Sequence, residues 1–360
     1  MLKELVPFDY KKAEEIAKRT EAFYNGTSGK ALIHIKGCRE NNIEFNEIKP
    51  LNYYKFPEDR DRYLDLRAEN DYLYARFHER FDDDYIPSTC PWYGIAEHTA
   101  FIGGEVDFTK DTSYNHQMCK ESIEEYKNLK LDKENLWIKL VAGGIKYMNE
   151  KWGEYIPVRL RGADGPSDIA NIVRGNELFY DIYDSPEALD GLLKFCADAV
   201  NFTLDLQREN ATKINGGYIN GFCTWMKGKC IGHISEDFST MLSPELYEKY
   251  FFKHLKYCVK DGDSAMLHVH SVGHKILPLF TKVDKIKIYE LSSDPNAMRA
   301  VDFYRTYQKE LQGKVVCVFP TFEELMKMDD LLRSGKTIVW FEATNEDEAK
   351  RAIDFVSKYR

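Results

Sequence analysis

The chain has 360 residues, 43% of them hydrophobic, and a formal net charge of -9. That length suits one large domain or two small ones, and the apolar share suits a packed core. An acidic chain without a basic block is a poor partner for nucleic acid or an anionic membrane surface.

From the amino terminus, MLKELVPFDYKKAEEIAKRT reads as a polar amphipathic helix without the apolar core of a leader peptide, and residues 1–29 are expected to form a helical extension. KALIHIKG (30–37) reads as the first strand, and the charged run 59–81 as an outward-facing helix. The segment from Phe81 to Thr109 is dense in Gly, Pro and aromatic residues and reads as a strand end, a loop and a short helix. A helix follows at 131–153, a strand at 155–162, and a short helix in GPSDIANIVRG. Residues 185–210 and 243–262 read as long helices, each opened by Ser-Pro-Glu, with a glycine-bracketed strand at 215–221 between them.

The last hundred residues are the clearest. SAMLHVHS (264–271), KIKIYELS (285–292), KVVCVFP (314–320) and KTIVWFEA (336–343) are β-rich runs, each followed by a helical pattern. Four such units in a row imply parallel strands with right-handed crossovers. A glycine-rich phosphate turn, which an open doubly wound sheet would want, is absent, so the alternation favours a single closed β/α barrel over residues 1–360.

The eight cysteines, at 38, 90, 119, 196, 223, 230, 258 and 317, form no CxxC pair. A chain of this size needs no disulfide framework, so free thiols and a cytoplasmic setting are expected. No stretch approaches the length of a membrane span.

In a parallel barrel, chemistry belongs at the carboxyl ends of the strands. There the sequence places His268-Val269-His270. Alternate residues of a strand share a face, so the two imidazoles could hold one metal, or be hydrogen-bonded pocket groups without it. Glu290 and Cys317, near the ends of the next two strands, are the candidate third ligands, with a core role the alternative for Cys317. His274 reads as a cap or surface group. Asp82, Asp83 and Asp84 form a carboxylate run of which one member could enter the pocket. Arg159 and Arg161 share one side of a strand; they and Arg174 could bind a carboxylate or phosphate, or pair with neighbouring acids. Tyr93 and Trp225 are candidate substrate-facing aromatics. Cys223, Cys230 and His233 offer a less regular metal set, with the two thiols seven positions apart.

Taken in order, FDDDYIP (81–87), GPSDIANIVRG, YDSPEALDGLL, Trp225 with SEDFSTMLSPELYEKYFFKHL, and MLHVHSVGHKILPLF resemble the uroporphyrinogen decarboxylase superfamily over about three quarters of the chain. The resemblance implies a distorted (β/α)8 TIM barrel. It also aligns Asp82 with the family's pocket aspartate. The decarboxylase's arginine pair after the first strand is missing from KALIHIKGCRENNIEF, which turns the expectation away from porphyrinogen and toward the cobamide-dependent methyltransferase branch. That branch carries His-x-Cys where this chain has His268-Val269-His270, and its second Cys falls near Pro320, with Cys317 the nearest thiol.

The resemblance thus implies zinc at His268 and His270 with Glu290 or Cys317, acting as a Lewis acid. It implies a methyl group moved between a small-molecule donor or acceptor and a corrinoid carried by a partner protein. Asp82, His268 and His270 are the expected catalytic residues; Tyr93, Arg161, Arg174 and Trp225 the expected substrate contacts. Nothing in the sequence opposes a homodimer. Two other readings stand beside this one. The first is a metal-free carboxy-lyase using Asp82 and His268 as acid and base, with Arg161 or Arg174 on the substrate carboxylate. The second is a binding protein without turnover on an enzyme fold.

Overall fold

The computed structural model describes residues 5–38 and 41–360. Ten strands occur among them: β1 (Ala31–Gly37), β2 (Val106–Phe108), β3 (Ser113–Asn115), β4 (Gly217–Ile219), β5 (Trp225–Lys227), β6 (Cys230–Ser235), β7 (Ser264–Val269), β8 (Ile286–Leu291), β9 (Val315–Val318) and β10 (Lys336–Ala343). Six form one sheet in the order β1-β10-β9-β8-β7-β6, and every neighbouring pair is parallel. The pairs β2–β3 and β4–β5 are separate antiparallel ribbons.

The parallel sheet follows from the sequence pattern. All four residues of β9 are buried, as are five of the six in β8, the near-continuous burial expected of strands covered on both faces. Helices return the chain between strands: Pro244–Tyr250 and Phe252–Val259 before β7, Leu277–Phe280 before β8, Ala300–Thr306 before β9, and Asp329–Ser334 before β10. The helix Glu346–Ser357 closes the series, capped by Asn345, whose side chain accepts from the Glu348 amide. Pairing of β1 with β10 joins the two ends of the chain in one sheet.

Several sequence-predicted elements are shorter or absent. The helix expected over 243–262 breaks at Phe251, and the one expected after β8 is helical only over Ala300–Thr306. Glycine-bracketed 215–221 gives β4, which turns back into β5, so that Trp225 lies on a strand. The segment 155–162 forms no named strand; Val158 makes a single parallel bridge to Thr89.

These irregular segments nonetheless lie along the sheet's edges. On the outer edge of β1 the Asp84 amide donates to the Ile33 carbonyl (2.8 Å). The Asp84 carboxylate accepts from the Ile33 amide (3.0 Å), and the Asp83 carboxylate from the Ile35 amide (2.6 Å). Side-chain oxygens therefore do what a neighbouring strand's carbonyls would do, which satisfies an edge that would otherwise be buried and unpaired. Beyond, the Arg159 amide donates to Thr89 (2.9 Å), the Leu160 amide to Ile219 (2.9 Å), and the Ala163 amide to His233 on β6 (3.2 Å). The architecture is a mixed α/β, barrel-like one around a parallel sheet. No helix among the described residues is long and apolar enough to cross a membrane.

The aspartate run thus has a structural occupation. Asp84, with no side-chain exposure, also takes Arg19 (2.6 Å) and Arg360 (2.9 Å). Removing a buried carboxylate that satisfies an amide and two guanidinium groups leaves all three without it. Asp84→Ala is expected to lower stability by about 3–5 kcal/mol, the usual cost of breaking a buried ion pair from one side, read as a shift in denaturant midpoint.

Candidate functional site

The carboxyl ends of β6, β7 and β8 meet in one cluster of ionisable side chains. His268 lies on β7 opposite Glu290 on β8 in the strand register. That register brings the His268 Nδ1 against the Glu290 carboxylate, a very short contact. His270, two residues on, turns its Nδ1 to Asp294 (2.5 Å), in the loop after β8. Asp294 is itself fixed by the Ser271 hydroxyl (3.0 Å) and the Val272 amide (3.1 Å). With both outer nitrogens held, the two inner nitrogens face each other: Nε2 of His268 and Nε2 of His270 are 3.1 Å apart.

Asp237 completes the group from the loop after β6, its Oδ2 3.3 Å from the His270 Nε2. One ligating atom from each of Asp237, His268 and His270 lies within 4.8 Å of the others. This loop is anchored on both sides of Asp237. Glu236 accepts from the Ser167 hydroxyl (2.5 Å) and the Tyr247 hydroxyl (2.6 Å). Asp168 accepts from the Phe238 amide (2.7 Å) and the Ser235 hydroxyl (2.6 Å). Asp237 is therefore held in place while its side chain stays 50% exposed, and the His268 and His270 side chains are 17% and 28% exposed, so the cluster opens to solvent.

Charge follows this geometry. Hydrogen bonding to Asp237, with Asp294 on the other nitrogen, pushes the His270 imidazole up to about 9 against the pull of burial. For His268, burial works downward, but Glu290, with Asp237 behind it, outweighs it and the ring titrates above its ordinary range. Burial raises Asp294, yet its contacts to His270 and the Val272 amide leave it below the usual carboxylate range. Burial pushes Glu236 up to about 7.

The donor set suits a divalent metal. In a tetrahedral zinc site, bonds of about 2.0–2.1 Å put neighbouring donors about 3.3 Å apart. The two spacings here, 3.1 Å and 3.3 Å, match that edge. Each imidazole also gives its far nitrogen to a carboxylate, the arrangement that orients ligating histidines.

The other expected site residues lie elsewhere or are otherwise engaged. Glu290 is 1% exposed and meets the Nδ1 of His268, so its place is behind that ring. Cys317 is fully buried on β9, with burial holding its thiol well above the ordinary range. Asp82 points outward, 88% exposed, beside Arg360 (3.7 Å). The bend after the helix Arg60–His78 carries Asp83 and Asp84 inward in its stead, onto the β1 amides. Tyr93 is sealed in an aromatic cluster with Phe56 and Tyr63, its hydroxyl donating to Leu140 (3.3 Å). Trp225 is buried, its indole donating to the Ile214 carbonyl (2.8 Å). Arg174 pairs with Asp181 (2.7 Å) in the interior, and Arg161 with Glu97. His274 meets the Tyr307 hydroxyl (2.6 Å).

Asp237, Asp294 and Phe222 belong to the site although the sequence reading gave them no role. Asp237 and Asp294 each follow a strand closely, the position where acids at a barrel mouth are worth noting. Phe222, in the turn between β4 and β5, stacks on His268 (5.4 Å between centroids) and meets His233 edge-on (4.1 Å). His233 sits in a slot between Gly162 and Gly221, where a Cβ would lie 2.7 Å and 2.6 Å from its ring. Burial, with His98, Arg161 and His268 nearby, drives His233 far below its normal range.

Comparison with the sequence models of known families and with curated proteins gives no match. Among solved structures, the chain is similar to a methyltransferase from Methanosarcina mazei, with 12% identity and a TM-score of 0.62 over 96% of this chain and 98% of that one. At this identity the likeness is one of fold.

His34 of β1 is 2% exposed between Tyr85 and Trp340. Burial lowers it from 6.5 to about 4. Between those values the unfolded chain takes up a proton that the folded one refuses, so stability falls as pH falls, by about 1.4 kcal/mol per unit. His34→Gln is expected to flatten the stability–pH curve between pH 6.5 and 4 relative to the parent, measured by denaturation across that window.

Proposed function

We propose that this chain is a methyltransferase that moves a methyl group between a small substrate and a cobamide-carrying protein, with zinc held by Asp237, His268 and His270. The observation that carries the proposal is the inward pairing of the two imidazoles beside Asp237 at the carboxyl ends of parallel strands. The fold likeness to a methyltransferase supports it, as does the sequence resemblance to the uroporphyrinogen decarboxylase superfamily. We read the hydrogen bonds that run from β1 through residues 84–89 and 157–163 to β6 as the irregular part of one distorted (β/α)8 barrel, which puts the cluster at its mouth.

When bound, zinc would supply Lewis acidity toward the heteroatom that gains or loses the methyl group. The chain's own residues do the positioning. Glu290 and Asp294 fix the ring planes of His268 and His270, and Asp237 brings a negative oxygen to the same point. Phe222 covers one face of His268 and keeps water from that side. The solvent-exposed side of Asp237 and His270 leaves an approach for a reactant, including one displayed on a second protein.

The metal-free lyase reading assigned acid–base work to Asp82, and the outward position of that side chain removes its partner for His268. The carboxylate anchors it assigned, Arg161 and Arg174, are already paired with acids.

Two results are expected. Protein purified without chelator contains zinc, and His268→Ala loses both the metal and methyl transfer; a full metal complement in that variant overturns the ligand assignment. Glu290→Gln keeps the ligand set but weakens its support, so zinc affinity should fall about 10–100-fold in a competition titration.

A further inference from the structure

Near the carboxyl end of β1 lies a second charged group of side chains, this one cationic. Lys36, near the end of β1, holds its ammonium 3.8 Å from the Trp340 ring centre. Arg159 donates to the Ser88 carbonyl, and its Nε is sealed from solvent with no acceptor. Neither cation has a carboxylate within ion-pair distance among the described residues. The nearby acid Asp71 is engaged by the Thr89 hydroxyl (2.6 Å). Burial lowers Lys36, as does the Arg159 charge, against the opposing pull of Cys223 and Asp71, and two enclosed cations with no carboxylate in contact are costly to keep together. Arg161 and Arg174, by contrast, have their acids.

Cys223 lies in the same turn as Phe222, 5% exposed and at a φ of +52°. Burial raises its thiol, but Arg159 and Lys36, with Tyr85, outweigh that and leave it below the ordinary range. The other seven cysteines are all raised by burial. The corner and the histidine cluster share one wall. Trp340 lies under Lys36 and meets Phe222 (6.5 Å), which stacks on His268, and Phe319 extends that wall to a side chain 37% exposed.

We propose that Lys36 and Arg159, with Cys223 beside them, form an anion-binding corner that takes the carboxylate of a small organic acid and presents its other end to the Asp237–His268–His270 cluster. The presentation to that cluster rests on the function proposed above; the carboxylate site itself does not. A guanidinium and an ammonium supply the donors that a carboxylate requires, and the aromatic wall suits the short apolar body of such a molecule.

The probe is a pair of thiol reagents of similar size, iodoacetate and the neutral iodoacetamide, each displacing iodide from the same carbon. Both react with the thiolate, so their rate ratio at Cys223 cancels the degree of ionisation and reports attraction for the carboxylate. Ordinary thiols favour iodoacetamide. Peptide-level mass spectrometry of the intact protein is expected to show the reverse preference at Cys223, with saturation in iodoacetate. Lys36→Met should cut the iodoacetate-to-iodoacetamide ratio about tenfold or more, the loss typical of one charged hydrogen-bond partner, and Lys36→Arg should retain it. Preference for iodoacetamide at Cys223, an unchanged ratio in Lys36→Met, or no labelling by either reagent overturns the proposal. None of these readouts involves zinc or methyl transfer, so failure here is separable from failure of the metal assignment.

Discussion

Everything at the candidate site depends on two carboxylates standing behind two imidazoles. A histidine ring left alone at the end of a strand can rotate and can offer either nitrogen. Here Glu290 and Asp294 each occupy one Nδ1, which commits both Nε2 atoms to the same point in space. The Glu290 contact is a product of register, since β7 and β8 bring His268 and Glu290 opposite each other. Sliding that pairing would turn the acid away, so the parallel sheet's own hydrogen bonding protects the site's geometry.

The same economy appears in the loop that bears Asp237. Its neighbours Glu236 and Phe238 are tied to Ser167 and Asp168 at the start of the helix Pro166–Arg174, so a partly exposed carboxylate is held by buried polar contacts. Burial disfavours the ionised form of Glu236 and raises its titration, while Ser167 and Tyr247 oppose that by donating to it. The arrangement places rigidity in the support and leaves the Asp237 carboxylate accessible.

What was legible in the sequence tracks how each backbone group is satisfied. The strands β7 to β10 were visible because their partners are other strands, which demands continuous runs such as KVVCVFP. The segment 81–90 escaped because Asp83 and Asp84 pair their carboxylates with the edge of β1, and hydropathy carries no trace of that. The histidine pair was legible from strand alternation alone. Its third partner was not, since Asp237 comes from a loop about thirty residues earlier and meets the rings only in three dimensions. Asp82, aligned by resemblance with a pocket acid, shows how one residue's displacement along a turn exchanges an exposed carboxylate for a buried one. Arg161 finds Glu97 across 64 positions, a separation that no local pattern announces.

The slot around His233 has an evolutionary side. Gly162 and Gly221 flank that ring so closely that any larger residue would collide with it, and at Gly162 the backbone φ of +96° adds a second objection. Those two sites are frozen for as long as the imidazole stays. Diversification of this region toward new molecules has to proceed elsewhere, for instance at Phe319, which is 37% exposed where it packs over the buried Trp340.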